Sequence, residues 1–419
     1  MKVGRIYIFS PGLIFVAIVF LVNTAGVIRY SFKWGDPASS PGYEMVPPYF
    51  SLYGQVFSVL AILILLWQVR KPNLMFGIGF VYLIFVSANV VMNSSLVYVY
   101  WTARGLVFYG FVFLILSTSS QFLRIEQINK CIELIGFFII SFLLLQIILV
   151  STLEFYPTHS HADNLIRYGS IYDDSLVLSL LSPMFTGYYL RKYRSFMPSL
   201  IVCFISLGVS LLTNCITGIL IMITYITWCK RNDIKTLTSV FFAATCFVIY
   251  KFEYLYDIYL FKNESISSHF EGWSELFQIN LIELLGLYPA NLYPEPGYVS
   301  LLLNFGIFIL LGFIGLLSYL FFICNYFLNK KSTNQELRSF SGATEGLLFS
   351  VALANFNFPV AIFTPIYFMS AIFGGVIFYH FLKTNYKARS SAKNKIALFA
   401  KPRSDPYSIN YYSSRFFRS

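Results

Sequence analysis

The chain has 419 residues, of which 57% are hydrophobic and only 12% are charged. An ordinary soluble domain carries roughly 25% charged residues, so this composition excludes a water-exposed surface of the usual kind. The net charge of +11 does not indicate a nucleic-acid-binding face, because the basic residues stand in short clusters between apolar runs and near the end of the chain. Lipid is therefore expected to cover most of the surface.

The apolar runs predict an all-α polytopic membrane protein with about twelve transmembrane helices. The predicted spans are 6–28, 50–68, 74–92, 104–122, 132–150, 175–190, 196–212, 215–228, 237–250, 298–328, 342–360 and 363–382. The first run lacks a small-residue cleavage site, so we interpret it as a retained helix and not as a signal peptide.

The charge pattern predicts the orientation of these spans. With the N-terminus inside, most of the 30 Lys and Arg residues fall in inner connections or in the C-terminal tail, which is the positive-inside pattern. Both termini are therefore predicted to be cytoplasmic. Residues 1–382 form one membrane domain in this interpretation, and 383–419 form a basic tail that is predicted to be mostly disordered.

Two outer loops, 151–174 and 251–297, hold most of the unusual polar residues. Function on a membrane scaffold is usually found in elaborated loops, so we expect any chemistry on the outer side. The sequence has no Walker, Rossmann or HExxH motif, which disfavours an ATP-driven pump, a nucleotide-sugar enzyme and a zinc protease. The predicted spans contain almost no charge, which disfavours an ion-coupled transporter.

The first loop contains the candidates Arg167 and Asp173, and Arg104 stands at the outer end of the fourth predicted span, 104–122. Arg167 is suited to a phosphate or diphosphate at the bilayer surface, although pairing with lipid headgroups is an equal alternative. Asp173, with Asp174, could transfer a proton, but helix capping is the more common use of such a pair. Arg104 could add a second positive charge, or could extend to the interface.

The second loop contains the other candidates. His269 could act as a base and Trp273 could stack on a sugar face. The alternative is that 265–285 form an amphipathic helix lying on the membrane. Glu295 stands between two prolines, which would hold its carboxylate in place as a general base or a hydroxyl clamp; it could equally be an ordinary loop acid.

The layout resembles that of the bacterial O-antigen and polysaccharide polymerases, within the wider O-antigen ligase/polymerase group. Residues 167–174 resemble the Arg-x-Gly stretch that opens a span after the first long loop in that group. Residues 212–218 resemble its tight hairpin, and 295–307 resemble the start of the span after the second long loop.

This chain departs from the group's pattern in two places. Cys215 and Ile216 stand where the hairpin often carries Ser and Arg, so one positive charge is missing. The ligases tend to carry a histidine near the position of Glu295, and this chain has none there. The second departure favours a polymerase over a ligase.

The resemblance implies a membrane glycosyltransferase in the bacterial inner membrane that polymerises polyprenyl-diphosphate-linked repeat units on the periplasmic side. An acceptor hydroxyl would attack the donor's anomeric carbon, and polyprenyl diphosphate would leave. Arg167 and Arg104 would bind the diphosphate, and Glu295, with His269 and Asp173 as further candidates, would take the proton. No metal or other cofactor is implied, because arginines can neutralise the leaving group.

Trp273, Tyr298 and Tyr168 are the expected glycan-binding residues. The expected partners are the lipid-linked glycan donor and acceptor, the bilayer and a chain-length regulator protein, with no nucleic acid. The alternatives are an O-antigen ligase that transfers glycan to lipid A-core, a flippase for lipid-linked oligosaccharide, and a membrane acyltransferase. The acyltransferase is disfavoured, because such enzymes usually carry an intramembrane histidine and none is evident here. His380 lies near the inner end of the last predicted span.

Overall fold

The computed structural model describes the second half of the chain almost continuously and short pieces of the first. The described residues are 17–22, 77, 81, 106, 110, 112–117, 123–153, 161–162, 165–166, 168, 170–172, 175–250, 256, 263–286, 296–357 and 364–400. For 153, 161–162, 165–166, 387–400 and several positions within 243–250 and 263–269, only the backbone is described.

The described chain is almost entirely helical, which confirms the all-α prediction for this part. Helices α1 to α10 are, in order, Ile125–Leu153, Ser175–Lys192, Phe196–Leu212, Ile216–Lys230, Ile234–Tyr250, Asn263–Ser274, Leu281–Leu284, Gly297–Asn329, Gln335–Ala354 and Thr364–Ala400. The 3₁₀ helix Glu275–Gln278 continues α6. Two short strands, β1 (His161–Ala162) and β2 (Leu165–Ile166), pair antiparallel within the first long loop.

Three described helices are long and apolar enough to cross a bilayer, and two more are apolar but shorter. The three are Ile125–Thr152, Gly297–Asn329 and Pro365–Tyr386, and the two are Phe196–Leu212 and Ile216–Lys230. Large apolar side chains on them are exposed, as on Phe137 at 66%, which fits contact with lipid. The chain is thus an all-α membrane protein. The number of spans, about twelve by run length, stays a prediction, because most of 1–122 lies outside the described residues.

Lysine and arginine lie at one end of the described helices. The basic end, as we name it, carries Arg124, Lys130, Arg191, Lys192, Arg194, Lys230, Arg231, Lys235, Lys330, Lys331, Arg338 and Lys383. Contacts between helices hold this end together, since Gln335 Nε2 donates to the Arg191 carbonyl at 2.7 Å. We name the opposite end the hairpin end, after the predicted tight turn at Thr213 and Asn214, which the structure confirms between α3 and α4.

Several predicted boundaries differ from the structure; α1, for example, was expected from 132 and begins at Ile125. The eleventh span was expected at 342–360, but α9 begins at Gln335 and ends at Ala354. Asn334 caps this helix by accepting a hydrogen bond from the Leu337 amide at 2.9 Å, a signal that the apolar pattern does not carry. The last span, predicted at 363–382, corresponds to the candidate span Pro365–Tyr386. Helix α10 continues to Ala400, so the prediction of a mostly disordered tail from 383 is wrong for 383–400. The rest of the predicted tail lies outside the described residues.

Helix α2 lies at the centre of the bundle and packs most closely on α9. Gly187 of α2 and Gly342 of α9 meet backbone to backbone, and a Cβ atom at either would overlap the other helix. One turn further along α9, Gly346 lies against the Pro183 carbonyl oxygen. Small residues four apart allow such close approach of membrane helices. The hydroxyl of Tyr225 in α4 donates to the Gly342 carbonyl at 3.2 Å, which joins a third helix to this crossing.

Helix α8 is broken at Gly306, whose φ of 81° and ψ of 172° are not helical. The part after the break, 307–329, measures about 34 Å at 1.5 Å per residue, enough to cross the bilayer core. The backbone of Gly286, which follows α7 and has a φ of 73°, lies directly against Gly306. The second long loop therefore packs onto the break through two glycines.

Replacing Gly306 by Ala is expected to lower the melting temperature of the purified protein clearly. The backbone at Gly306 is in a region that only glycine adopts readily, at a cost of about 1–3 kcal/mol for other residues, and a Cβ there would overlap Gly286. The control is Gly315→Ala in the same helix, where a Cβ meets nothing within 4 Å. Thermal unfolding in detergent measures both variants. Equal melting temperatures would contradict the claim that the break in α8 requires glycine at position 306.

Candidate functional site

The chain after the first long loop is tied to the hairpin end. The Tyr168 amide donates to the Leu212 carbonyl at 3.1 Å, directly before the tight turn. Ser170 has a left-handed backbone with a φ of 57°, and Gln146 of α1 holds it through a 2.9 Å hydrogen bond from the Ser170 amide. The Ser170 hydroxyl also donates to the Ile139 carbonyl at 2.6 Å. These bonds give the segment a defined position on α1 and α3.

Residues that follow α9 also bond to this hairpin. The helix stops at Ala354, and the Asn357 amide group donates to the Thr217 hydroxyl of α4 at 2.7 Å. Asn355 accepts a 3.0 Å hydrogen bond from the Tyr298 amide at the start of α8. The Asn357 side chain thus joins the end of α9 to α4.

Three aromatic rings form a patch at this end, made of Trp273, Tyr298 and Phe356. The Phe356 and Tyr298 rings meet edge to face with centroids 4.9 Å apart, and the Trp273 ring stacks on Phe356 at 6.2 Å and 24°. The Tyr298 hydroxyl donates to the Ala352 carbonyl at 2.8 Å, which fixes its ring. Phe356 is 55% exposed, so the patch is accessible. We name these three residues the aromatic patch.

The structure brings some predicted site residues together and leaves others undescribed. Trp273 and Tyr298 share the aromatic patch, and Tyr168 is at the same end of the bundle but bonds to the hairpin. The backbone of His269 is in α6, with its side chain outside the description. Outside the described residues lie Glu295, Asp173, Arg167 and Arg104, so their predicted roles stay predictions.

The segment 263–286, for which a helix lying on the membrane was the alternative interpretation, is helical in three pieces, which are α6, the 3₁₀ helix and α7. Its exposed side chains include large apolar ones, such as Phe270 at 72% and Phe277 at 92%, and polar ones, such as Glu271 and Gln278. Trp273 and Glu275 are both partly buried. Burial raises the pKa of the Glu275 carboxyl above its ordinary value, because it removes water from the charged form.

The sequence interpretation missed a charged pair inside the bundle. Glu345 of α9 has a fully buried side chain, and its Oε2 lies 3.2 Å from Nη2 of Arg191. The Trp228 indole donates to the other oxygen of Glu345 at 3.3 Å. The expectation that the spans hold almost no charge is therefore wrong at this position. Glu345 falls within the predicted span 342–360, so the signal was present, but a single acid in an apolar run did not show its partner.

A second ionic contact lies at the basic end. Lys192 Nζ lies 2.6 Å from Glu133 Oε1, and the Tyr188 hydroxyl donates to the same oxygen. This pair is about one third exposed on each side. Among the described residues, no group of three or more His, Cys, Asp or Glu side chains is placed to hold a metal ion.

A lateral groove of about 480 Å³ lies between α1, α2 and α3. Its lining is mostly apolar, including Phe137, Ile140, Ile201 and Ile205, and tyrosines lie towards the basic end. The four named side chains are all partly exposed on the lipid-facing side. A groove of this kind can hold one flexible hydrocarbon chain that enters from the bilayer.

The fold defines an all-α membrane protein whose hairpin end combines an aromatic patch and a polar turn. No protein-family model matches the chain, and no curated protein matches it.

Proposed function

We propose that this protein polymerises polyprenyl-diphosphate-linked oligosaccharide repeat units into O-antigen or a related surface polysaccharide, on the periplasmic side of a bacterial inner membrane. The positive-inside rule assigns the basic end to the cytoplasm, so the hairpin end would face the periplasm. A chain-length regulator protein is a proposed partner.

The observation that carries the proposal is the meeting of three distant segments at the hairpin end. These segments, around 168, 212–218 and 298, are the ones on which the resemblance to the polymerases rests. Tyr168 bonds to Leu212 at 3.1 Å, and Tyr298 joins the same end through Asn355 at 3.0 Å. Segments that contribute to one active site must lie close together in the folded chain.

In the proposed reaction, an acceptor sugar hydroxyl attacks the anomeric carbon of the donor. The bond from that carbon to the diphosphate oxygen breaks, and polyprenyl diphosphate leaves with the electron pair. Arg167 and Arg104 stabilise the leaving charge, and Glu295, with His269 or Asp173 as further candidates, takes the hydroxyl proton. The lateral groove between α1, α2 and α3 is suited to the polyprenyl chain.

A flippase for the lipid-linked oligosaccharide is the second candidate, and one observation favours it. The Glu345–Arg191 pair inside the bundle is the kind of intramembrane charge that often marks a transport pathway. An O-antigen ligase shares fold and donor chemistry with the polymerase and differs in its acceptor.

Deleting the gene is expected to leave a lipid A-core that carries a single repeat unit and to remove the long polysaccharide ladder on a gel. The wild-type gene should restore the ladder, whereas Arg167→Ala and Glu295→Ala should not. The control is Arg124→Ala, an exposed arginine at the basic end, which should restore it fully.

Other outcomes would identify the alternatives. A core without any repeat, together with accumulated long lipid-linked polymer, would indicate a ligase. Loss of all repeats with lipid-linked repeat held on the cytoplasmic face would indicate a flippase. An unchanged ladder in the deletion strain would contradict the proposed function altogether.

A further inference from the structure

The lateral groove between α1, α2 and α3 is long enough for one lipid chain and open to the bilayer. On α2 its lining runs from Leu178 to Tyr193, which is about 22 Å at 1.5 Å per residue. One leaflet supplies roughly 15 Å of the hydrocarbon core. Phe137 and Ile201, which line the groove, are 66% and 56% exposed, so a chain of the surrounding lipid can enter from the side.

An ion pair closes this groove at the basic end. Lys192 Nζ of α2 lies 2.6 Å from Glu133 Oε1 of α1. Glu133 lies three residues before Gly136 and four before Phe137, and both of these line the groove. Lys192 lies three residues after Tyr189, another lining residue. Residues three or four apart share one face of a helix, so the ion pair lies on the two helix faces that form the groove.

Positive charge exceeds negative charge beside this ion pair. Lys130 is exposed, lies one turn before Glu133 on the same face of α1, and interacts with the Glu133 charge. Arg194, also exposed, lies in the short connection between α2 and α3. Glu336 of α9 is a second acid that interacts with Lys192. Three cations and two acids leave a net positive charge at the inner end of the groove.

Two tyrosines lie between the apolar lining and these charges. The Tyr189 and Tyr193 rings stack with centroids 6.1 Å apart and an interplanar angle of 3°. The Tyr189 hydroxyl lies 3.4 Å from the place that a Cβ atom on Gly136 would take, and Lys192 Nζ lies 5.6 Å from the Tyr193 ring centroid. Tyrosine is typical of the membrane–water interface, because its ring is apolar and its hydroxyl is polar. The groove therefore passes from apolar to interfacial to cationic, as a phospholipid passes from chain to phosphate.

We propose that the groove binds an anionic phospholipid of the cytoplasmic leaflet, with one acyl chain in the groove and the phosphate beside Lys130 and Lys192. The positive-inside rule assigns the basic end to the cytoplasm, and basic pockets between membrane helices on that side bind anionic headgroups. The polyprenyl chain of the proposed reaction would enter from the hairpin end, so the two lipids would exclude each other. The phospholipid site does not depend on the proposed reaction.

Native mass spectrometry of the delipidated full-length protein measures the dissociation constant of the first bound lipid. Dioleoyl phosphatidylglycerol is expected to bind about fivefold more tightly than dioleoyl phosphatidylcholine, or better, because each nearby cation contributes roughly that preference for anionic lipid. Lys130→Gln should weaken phosphatidylglycerol binding about fivefold, and Glu133→Gln, which removes an acid, should strengthen it by a similar factor. Loss of structure alone would not produce effects of opposite sign.

A second variant tests the apolar part of the site. Ile205→Trp should fill the groove and weaken the binding of both lipids about tenfold, which corresponds to two CH₂ groups that the chain can no longer bury. Leu144→Trp is the matched control on α1, since Leu144 is 55% exposed and does not line the groove. Lys331→Gln, an exposed lysine between α8 and α9, is the control for charge. Both controls should bind as the wild type does, and size-exclusion profiles of all variants should match.

Three outcomes would overturn the phospholipid site. Equal affinity for phosphatidylglycerol and phosphatidylcholine would mean that the cations do not select the headgroup. Phosphatidylglycerol binding that neither Lys130→Gln nor Ile205→Trp weakens would place the lipid elsewhere on the protein. Displacement of the lipid by millimolar glycerol 3-phosphate would mean that the cations bind a free phosphate and that the groove holds no chain.

Discussion

Replacing Glu345 by Ala is expected to destabilise the protein by about 3–5 kcal/mol, because removing one partner of a buried ion pair leaves the other charge uncompensated. The Glu345 side chain is fully buried, and the Arg191 guanidinium lies 3.2 Å from it with 30% of that side chain exposed. The partial exposure of Arg191 favours the lower part of the range. Thermal unfolding of the full-length protein in detergent measures the effect.

Two further variants test whether the loss of stability comes from the burial of this ion pair and not from removing any ionic contact. Glu133→Ala removes the acid of the Lys192 pair, whose side chains are 33% and 37% exposed, and should cost no more than about 1 kcal/mol. The double variant Arg191→Met with Glu345→Leu should recover much of the loss, because it leaves no unpaired charge. Equal melting temperatures for Glu345→Ala and Glu133→Ala would contradict this interpretation.

Gly346→Ala is expected to have the other large effect, a loss of about 3 kcal/mol or more, as overpacking a close contact does. The Cβ atom would overlap the Pro183 carbonyl oxygen and approach the Tyr225 hydroxyl at 3.0 Å. Backbone atoms cannot move aside as a flexible side chain can, so α2 and α9 would have to separate. The expected result is a low yield of folded protein and a lower melting temperature.

The matched control for Gly346 is Gly208→Ala in α3, where a Cβ meets nothing within 4 Å. Alanine is the better helix former by roughly 1 kcal/mol, so this variant should be neutral or slightly more stable. If Gly346→Ala behaves like Gly208→Ala, the close crossing of α2 and α9 does not limit stability.

The helices and turns of the membrane domain were largely predictable from the sequence. The predicted spans 196–212 and 298–328 correspond to Phe196–Leu212 and Gly297–Asn329, because a long apolar run in lipid has no stable alternative to helix. The turn at Thr213 and Asn214 was predictable for the same reason, since it is a short polar break between two such runs. The end of α9 was misplaced by several residues, because the run of apolar residues continues past the turn at Asn355.

The candidate site was predictable only in its location and in part of its membership. Loop length and polarity directed attention to 251–297, and Trp273 and Tyr298 were selected as aromatic residues near the predicted start of a span. Phe356 was not selected as a ligand-binding residue, because an isolated Phe in a sequence does not reveal what lies opposite. Its place in the aromatic patch depends on contacts with Trp273 and Tyr298, more than fifty residues earlier in the chain, which no local pattern records.

Composition and hydropathy were enough to determine the class of this protein, its helices and the basic end, since these depend on the free energy of transferring each segment into lipid. The pairing of Glu345 with Arg191, the glycine crossing of α2 on α9 and the break at Gly306 were decided by tertiary structure alone. Each depends on which helix faces which, and at what distance, and hydrophobic sequence patterns are nearly the same for many such arrangements.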